Sequence, residues 1–178
     1  MSDVAASMRG MTERTDLQQS LRRHRAFFLK TLEGLDDAAA RQRSTVSELT
    51  LASLLKHVSD TESAWAHFIH DGPAALGGDV DFSTFDPSTF VDERFVLTDD
   101  DTLAAMRTRY EAVAAHTDAL VETVDLDSEQ PLPKAPWHEP GSTWSARYVV
   151  LHIIAETSQH AGHADIIREA IDGAKTMG

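Results

Sequence analysis

Four long segments of this chain repeat apolar residues with the period of an α-helix, and stretches rich in Gly, Pro, Asp and Ser separate them. The periodic segments cover about 13–32, 51–70, 99–124 and 144–171, and a short helix is expected near 37–41. Amphipathic helices of this length bury their apolar faces against one another. The pattern therefore predicts an all-α fold, a four-helix bundle.

Two long connections separate the helices. The first, about 72–97, is a crossover between the second and third long helices and is too polar and too rich in Gly and Pro to be helical. We expect its aromatic side chains to pack over the bundle: Phe82, Phe85, Phe90 and Phe95. The second connection, about 125–143, contains four of the six prolines. No strand of useful length is expected.

Local signals predict the ends of three helices. Thr50 and Thr98 are the expected N-caps of the second and third long helices, because a threonine hydroxyl can accept a hydrogen bond from the first helical turn. The three aspartates after Thr98 favour the positive end of the helix dipole. Gly173 is the expected end of the fourth helix.

The length of 178 residues suits one domain with a substantial core, so we predict a single domain over 1–178, with residues 1–11 flexible. No stretch approaches the roughly 18 apolar residues that span a bilayer. The first residues contain neither the apolar run nor the basic leader of a secretion signal. We therefore expect a soluble protein located in the cytoplasm, without a membrane partner.

The charge and the cysteine content exclude several classes of function. A formal charge of −13 argues against nucleic acid as a partner, because phosphate backbones are bound by clustered Lys and Arg. The basic cluster of Arg22, Arg23 and Arg25 is expected to be a solvated face. Cysteine is absent, which excludes disulfides and a thiol nucleophile supplied by the protein.

The fourth periodic segment contains HIIAETSQHAGHADIIRE, in which Glu156 and His160 fall on the same helix face as Val149 and Ile153. A carboxylate that faces the core is costly unless it has a partner. A bound cation would supply one, and a simple hydrogen bond between Glu156 and His160 would be the alternative. His57 is the leading candidate for a third ligand, although it lies at the edge of the apolar stripe of its helix.

Two histidines and one glutamate are donors of the kind that zinc accepts, and three protein ligands leave a position for water or substrate. Iron or nickel could bind the same donors, so zinc is the preferred prediction and not the sole one. Glu62 falls near the inner stripe and could hold the free ring nitrogen of a ligand. His152 and His163 flank the site, and the remaining histidines are expected at the surface: His24, His67, His70, His116 and His138.

The segments LLKHVSDTESAW and HIIAETSQHAGHADIIRE together resemble those of the DinB-like superfamily of four-helix metalloproteins. The closer resemblance is to its mycothiol-dependent branch, which includes mycothiol S-transferases and mycothiol-dependent maleylpyruvate isomerase. In that branch a glutamate is the first member of the last ligand pair, so the resemblance implies His57, Glu156 and His160 as metal ligands. The isomerase carries an additional C-terminal domain, and this sequence ends at Gly178, so we expect a transferase instead.

With zinc as the preferred metal, the resemblance implies that the metal stabilises the thiolate of mycothiol, which then attacks a small electrophile in a detoxifying S-transfer. His163, Asp165 and Arg168 are expected to orient the sugar part of mycothiol, and Trp65 and Trp137 to form walls of the pocket. A homodimer formed through helix faces is compatible with the superfamily.

Two other functions stay open. In one, the protein stores or senses a metal or ligand and catalyses nothing. In the other, the open metal position holds a water of lowered pKa that attacks an amide or ester, with Glu62 or His163 as the base. An activity that needs no added thiol would favour this hydrolysis.

Overall fold

The computed structural model describes the backbone of residues 2–78 and 91–176, and within these ranges the side chains from Thr12 onward. In this part of the chain there are five α-helices: α1 (Ser2–Lys30), α2 (Asp37–Ala40), α3 (Leu51–Asp71), α4 (Leu103–Thr123) and α5 (Ala146–Asp172). Helices α1 and α3 each pack against both α4 and α5. The predicted all-α four-helix bundle is confirmed.

Short elements occupy the connections. One 3₁₀ turn (Gly72–Leu76) follows α3 and another (Glu93–Phe95) precedes α4. Strand β1 (Glu129–Pro131) pairs antiparallel with β2 (Thr143–Ser145), and these three-residue strands are the only sheet in the described residues. The predicted packing of Phe82, Phe85 and Phe90 lies outside the described residues.

Helix α3, which carries His57, begins where the sequence predicts. The Thr50 hydroxyl accepts a hydrogen bond from the backbone N–H of Ser53 at 3.1 Å, and the Ser53 hydroxyl accepts one from the N–H of Thr50 at 3.0 Å. This reciprocal capping box satisfies two backbone donors that a helix start otherwise leaves unpaired. The first residue of α3 is therefore Leu51, as predicted.

Helix α4 begins later than predicted, at Leu103, and its N-cap is Thr102 instead of Thr98. The carboxylate of Asp101 accepts hydrogen bonds from both the backbone N–H and the hydroxyl of Thr98, each at 2.9 Å. The backbone N–H and the hydroxyl of Thr98 are thus used in a local turn, and Thr98 does not cap the helix. The Thr102 hydroxyl then accepts from the N–H of Ala105 at 3.2 Å.

The outer ends of the bundle differ in how well the sequence predicts them. Helix α1 begins at Ser2 instead of near Glu13, and the side chains of residues 1–11 lie outside the described part, so the flexibility expected there stays a prediction. Helix α5 ends at Asp172, and Gly173 with a left-handed backbone is its C-cap, so Gly173 stops the helix as predicted. In the described ranges no helix combines the length and the hydropathy needed to cross a membrane.

A buried polar layer crosses the bundle at one level and separates two apolar clusters. One cluster contains Leu21, Val121 and Ile153. The other contains Phe28 and Leu55. Between them each long helix contributes a buried polar residue, and we call this set the polar layer: Arg25 from α1, Glu62 from α3, Thr117 from α4 and Thr157 from α5.

Arg25 corrects one prediction, because it is buried instead of belonging to a solvated face. Its guanidinium donates to both carboxylate oxygens of Glu62 and to Oδ1 of Asp118. Arg22 and Arg23 are exposed, as predicted. Helical periodicity places Arg25 on the inner face between Leu21 and Phe28, and its two carboxylate partners make that burial tolerable.

Candidate metal centre and adjoining cavity

His57 from α3 and the pair Glu156 and His160 from α5 meet in one cluster. One potential ligand atom from each residue lies within 4.8 Å of the other two. Both histidines are buried, while the side chain of Glu156 is 29% exposed. The spacing of four residues on α5 brings Glu156 and His160 together, as predicted, and both lie on α5 at the level of the polar layer.

The environment keeps His57 neutral. Burial, followed by the nearby His160 and Arg94, lowers the pKa of His57 to about 4. The ring of Phe95 stacks on that of His57, with centroids 4.0 Å apart and an interplanar angle of 10°. The Nδ1 atom of His57 is buried and has no hydrogen-bond partner among the described residues. A neutral imidazole with an unsatisfied buried nitrogen is suited to bind a cation.

A hydrogen bond between Glu156 and His160 does not account for the cluster. The Oε2 atom of Glu156 lies 3.6 Å from Nε2 of His160, which is too long for a hydrogen bond. Its Oε1 atom lies 3.7 Å from Nε2 of His152. The contact with His160 lowers the pKa of Glu156, so the carboxylate is ionised at neutral pH. The arrangement of these potential ligand atoms is therefore better suited to binding a divalent cation than to hydrogen bonds among the three side chains.

His163 lies on the far side of His160 from Glu156. Its Nδ1 atom is 3.5 Å from Nδ1 of His160, whereas Nε2 of His160 is the atom nearest Glu156. A partner on the second ring nitrogen commonly holds the ring of a metal-binding histidine in place. The structure thus brings His163 into the site as a neighbour of His160.

The predicted catalytic residue Glu62 is fully buried in the polar layer. Arg25 donates to both of its carboxylate oxygens, so the geometry connects Glu62 to α1 and not to the ring nitrogen of a ligand histidine. Its predicted role as a base stays a prediction.

Asp165 and Arg168, predicted to bind the cosubstrate, instead form hydrogen bonds with backbone groups beyond the ends of α5 and α1. The Asp165 carboxylate accepts from the N–H of Thr176 at 2.8 Å. Arg168 donates to the carbonyl oxygens of Thr31 and Glu33, both at 2.8 Å, just beyond the end of α1. Eight residues separate Arg168 from His160, which is about 12 Å along a helix. The structure therefore does not bring Arg168 to the cluster.

A cavity of about 430 Å³, which we call the tryptophan cavity, is lined by neighbours of the cluster residues but by none of His57, Glu156 and His160. Trp65 and Trp137, the predicted walls of a pocket, both line it, and its other larger side chains are Leu76, Arg94, Lys134 and His138. The ring of Trp65 is 4.8 Å from that of His152, which in turn contacts Glu156. The binding role of these residues stays a prediction.

Sequence reasoning missed Arg94 as a site residue, and it predicted that Phe95 packs over the bundle, as it does, but not that Phe95 contacts His57. They lie in the 3₁₀ turn before α4, far along the chain from His57, so no helical spacing links them to the motif. The one local signal is Asp92, whose carboxylate accepts from the backbone N–H of Arg94 at 3.0 Å and marks a turn.

Comparison with known proteins assigns the family. A family model described as Mycothiol-S-transferase matches residues 16–173. The chain belongs to the mycothiol S-transferase family. That match covers the second half of α1, all of α3, α4 and α5, and both motifs, so the DinB-like resemblance expected from them is confirmed.

One solved structure supports the fold of this mycothiol S-transferase family member. It is titled "Crystal structure of the conserved protein of locus from Enterococcus faecalis", and the two chains align with a TM-score of 0.65 at 14% sequence identity. The alignment covers 90% of this chain and 97% of the other. At that identity it shows a shared fold alone. Among curated proteins there is no match.

Proposed function

We propose that the chain is a metal-dependent S-transferase, which joins the thiol of a small cosubstrate, mycothiol, to a small electrophile in detoxification. Membership of the family supports both the thiol and the transfer. The observation that carries the metal dependence is the cluster of His57, Glu156 and His160, in which the buried Nδ1 atom of His57 has no partner within the described part of the chain.

The donor set determines which ion suits the site. His57, Glu156 and His160 would hold a divalent cation, and two imidazoles with one carboxylate are typical of zinc sites that keep an open position. A cation there lowers the pKa of a coordinating thiol, so that the thiol reacts as a thiolate near neutral pH. Because the chain has no cysteine, no protein thiol competes for that position.

The transfer itself balances without a redox partner. A bond forms between the cosubstrate sulfur and the electrophilic carbon, the leaving group departs with its electron pair, and the thiol proton passes to solvent. The protein residues orient and shield this exchange. Phe95 covers one face of His57 and excludes water there, and His163 contacts the second nitrogen of His160.

In this proposal His163 acts through His160, and Glu62 acts through Arg25 by fixing the relative position of α1 and α3. Neither residue is assigned a proton transfer. The homodimer expected from the superfamily stays a prediction.

The experiment compares the wild-type protein with His160→Ala, using mycothiol and monochlorobimane as the electrophile. We expect the variant to lose bound metal and conjugate formation together. His67→Ala is the matched control, because His67 is an exposed histidine on α3. Conjugation at the wild-type rate by His160→Ala would contradict the metal dependence, and turnover of an ester without any thiol would favour hydrolysis instead.

A further inference from the structure

Basic side chains line the tryptophan cavity although the protein as a whole is acidic, and one of them, Arg94, is paired with the carboxylate of Asp92. The chain has 29 acidic and 16 basic residues and a net charge of −13. Among the described residues that line the cavity, however, there are Arg94, Lys134 and His138 and no Asp or Glu. A locally basic wall in an acidic protein raises the local concentration of anions relative to cations.

Arg94 is held in one orientation by Asp92. Its Nε and Nη2 atoms donate to the two oxygens of the Asp92 carboxylate at 2.8 and 2.6 Å. Nη1 takes no part in that pair and lies 3.4 Å from the Thr61 hydroxyl, which is long for a hydrogen bond. Nη1 carries two N–H groups, so one remains that can donate to a ligand in the cavity when the other faces Thr61. A side chain that is already held loses little entropy on binding.

The remaining walls of the tryptophan cavity are apolar and flat. The ring of Trp65 is supported from behind by Trp144, with centroids 4.7 Å apart and planes 21° apart. Trp137 and Leu76 complete the apolar surface. Rigid indole faces favour planar ligands, and a volume of about 430 Å³ accommodates a substituted aromatic ring.

Two short chains of contacts connect the cavity with the metal centre. Trp65 contacts His152, and His152 contacts Glu156. On the other side Arg94 is followed directly by Phe95, which stacks on His57. Each path from the cavity wall to the cluster therefore passes through one intervening residue, His152 on one side and Phe95 on the other.

We propose that the tryptophan cavity binds the electrophile, and that it selects an aromatic molecule carrying a carboxylate, which Arg94 recognises. The identity of this ligand as the electrophile rests on the proposed S-transferase function. The binding preference does not, because it can be measured without turnover.

The test uses two unreactive ligands of the same shape, 3-nitrobenzoate and 3-nitrobenzamide, and measures their binding to the full chain by calorimetry and by quenching of tryptophan fluorescence. We expect the wild-type protein to bind the carboxylate about tenfold more tightly than the amide. Arg94→Gln should abolish this preference and leave the affinity for the amide within about twofold. Arg94→Lys should restore part of it, because a lysine keeps the charge but not the fork of donors.

The control is Arg23→Gln, which makes the same change in net charge at an exposed position on α1. It should retain the full preference. Unchanged binding of the amide shows that the cavity of Arg94→Gln is intact, so loss of both ligands in that variant overturns the proposal. Equal binding of the two ligands by the wild-type protein overturns it as well.

Measurements of transferase activity test the cavity proposal and the S-transferase function separately. With mycothiol as the thiol, 4-chloro-3-nitrobenzoate should be conjugated with a higher kcat/KM than 4-chloro-3-nitrobenzamide, and Arg94→Gln should remove the difference. Absence of transfer to any electrophile, with the binding preference retained, contradicts the S-transferase function alone. Transfer without any preference for the carboxylate contradicts the cavity proposal alone.

Discussion

Arg25 on α1 and Glu62 on α3 form a two-bonded ion pair inside the bundle, with Nη2 to Oε1 at 2.5 Å and Nε to Oε2 at 3.2 Å. The pair lies between two apolar clusters, and its side chains are only 6% and 1% exposed. Asp118 on α4 accepts from the third guanidinium nitrogen at 2.7 Å. Three helices are thus joined at the level where α5 carries two of the proposed metal ligands.

Glu62→Gln should destabilise the fold, because it leaves the Arg25 guanidinium buried with half of its compensation. We expect the free energy of unfolding, measured by urea denaturation, to fall by about 3 kcal/mol. Arg22→Gln is the control, on the same helix as Arg25. Arg22 is 56% exposed and 3.9 Å from Asp118, so the change there should be within about 0.5 kcal/mol.

The same Glu62→Gln variant also tests the catalytic role predicted from sequence. If Glu62 only positions α3, the pH dependence of kcat/KM should keep its shape at temperatures where the variant is folded. Disappearance of one limb of that profile would identify Glu62 as an acid or base and contradict the positioning role.

His163→Gln should weaken metal binding without abolishing it. The variant removes the imidazole neighbour of His160 Nδ1, and partners of this kind change metal affinity by about 10- to 100-fold. Competition with a chromophoric chelator gives the affinity directly. The exposed His67 provides the control, since His67→Gln should retain wild-type affinity. A complete loss of metal in His163→Gln would make His163 a ligand instead.

The hydrogen bonds of Asp101, near the start of α4, should make the free energy of unfolding depend on pH. Its hydrogen bonds with the backbone N–H of Thr98, the largest cause, and with the Thr98 hydroxyl and Arg109 lower the pKa of this carboxyl below its ordinary value. The stabilisation is present above the unfolded pKa, near 4, and is lost as pH falls through the lower folded value. Asp101→Asn should therefore cost about 1–2 kcal/mol at pH 7 and progressively less towards pH 3.

Chemical denaturation at a series of pH values checks this prediction. Asp100→Asn is the adjacent control, because the side chain of Asp100 is exposed. A cost of Asp101→Asn that stays constant from pH 7 to pH 3 would mean that the charge of the carboxylate plays no part.

Arg168→Met distinguishes a structural role from cosubstrate binding. The change removes two hydrogen bonds to carbonyl oxygens at the end of α1 and should lower the free energy of unfolding by about 2 kcal/mol. The KM for the thiol should stay within about twofold of wild type. A large rise in that KM, with little change in stability, would support the sequence prediction instead.

Helical periodicity predicted the parts of the molecule that depend on local rules. The spacing of Glu156 and His160 and the cap at Thr50 follow from interactions within one or two turns of a helix, and both were predicted correctly. The prediction that Glu156 faces the core is met only in part, because its side chain is 29% exposed and lies towards the rim of the bundle. Such rules also explain the wrong start of α4, because Thr98 and Thr102 are equally good caps until Asp101 selects one.

Those local rules do not predict contacts between segments that are far apart in the sequence. Nothing in the local sequence pairs Arg25 with Glu62, so the basic cluster was interpreted as solvated. Phe95 reaches His57 from a connection without periodicity, and Arg94 reaches the tryptophan cavity from the same turn. These residues are identified only when the bundle brings the connections over α3.

The cluster of His57, Glu156 and His160 is carried by two long helices, whereas much of the tryptophan cavity comes from the segments between helices. If the proposed function and the proposed cavity ligand are correct, separate stretches of the chain determine reactivity and choice of substrate. Replacement or lengthening of the segment that contains Trp137 should redirect the protein towards new compounds while leaving the chemistry intact, which makes that segment a natural point of divergence and of engineering.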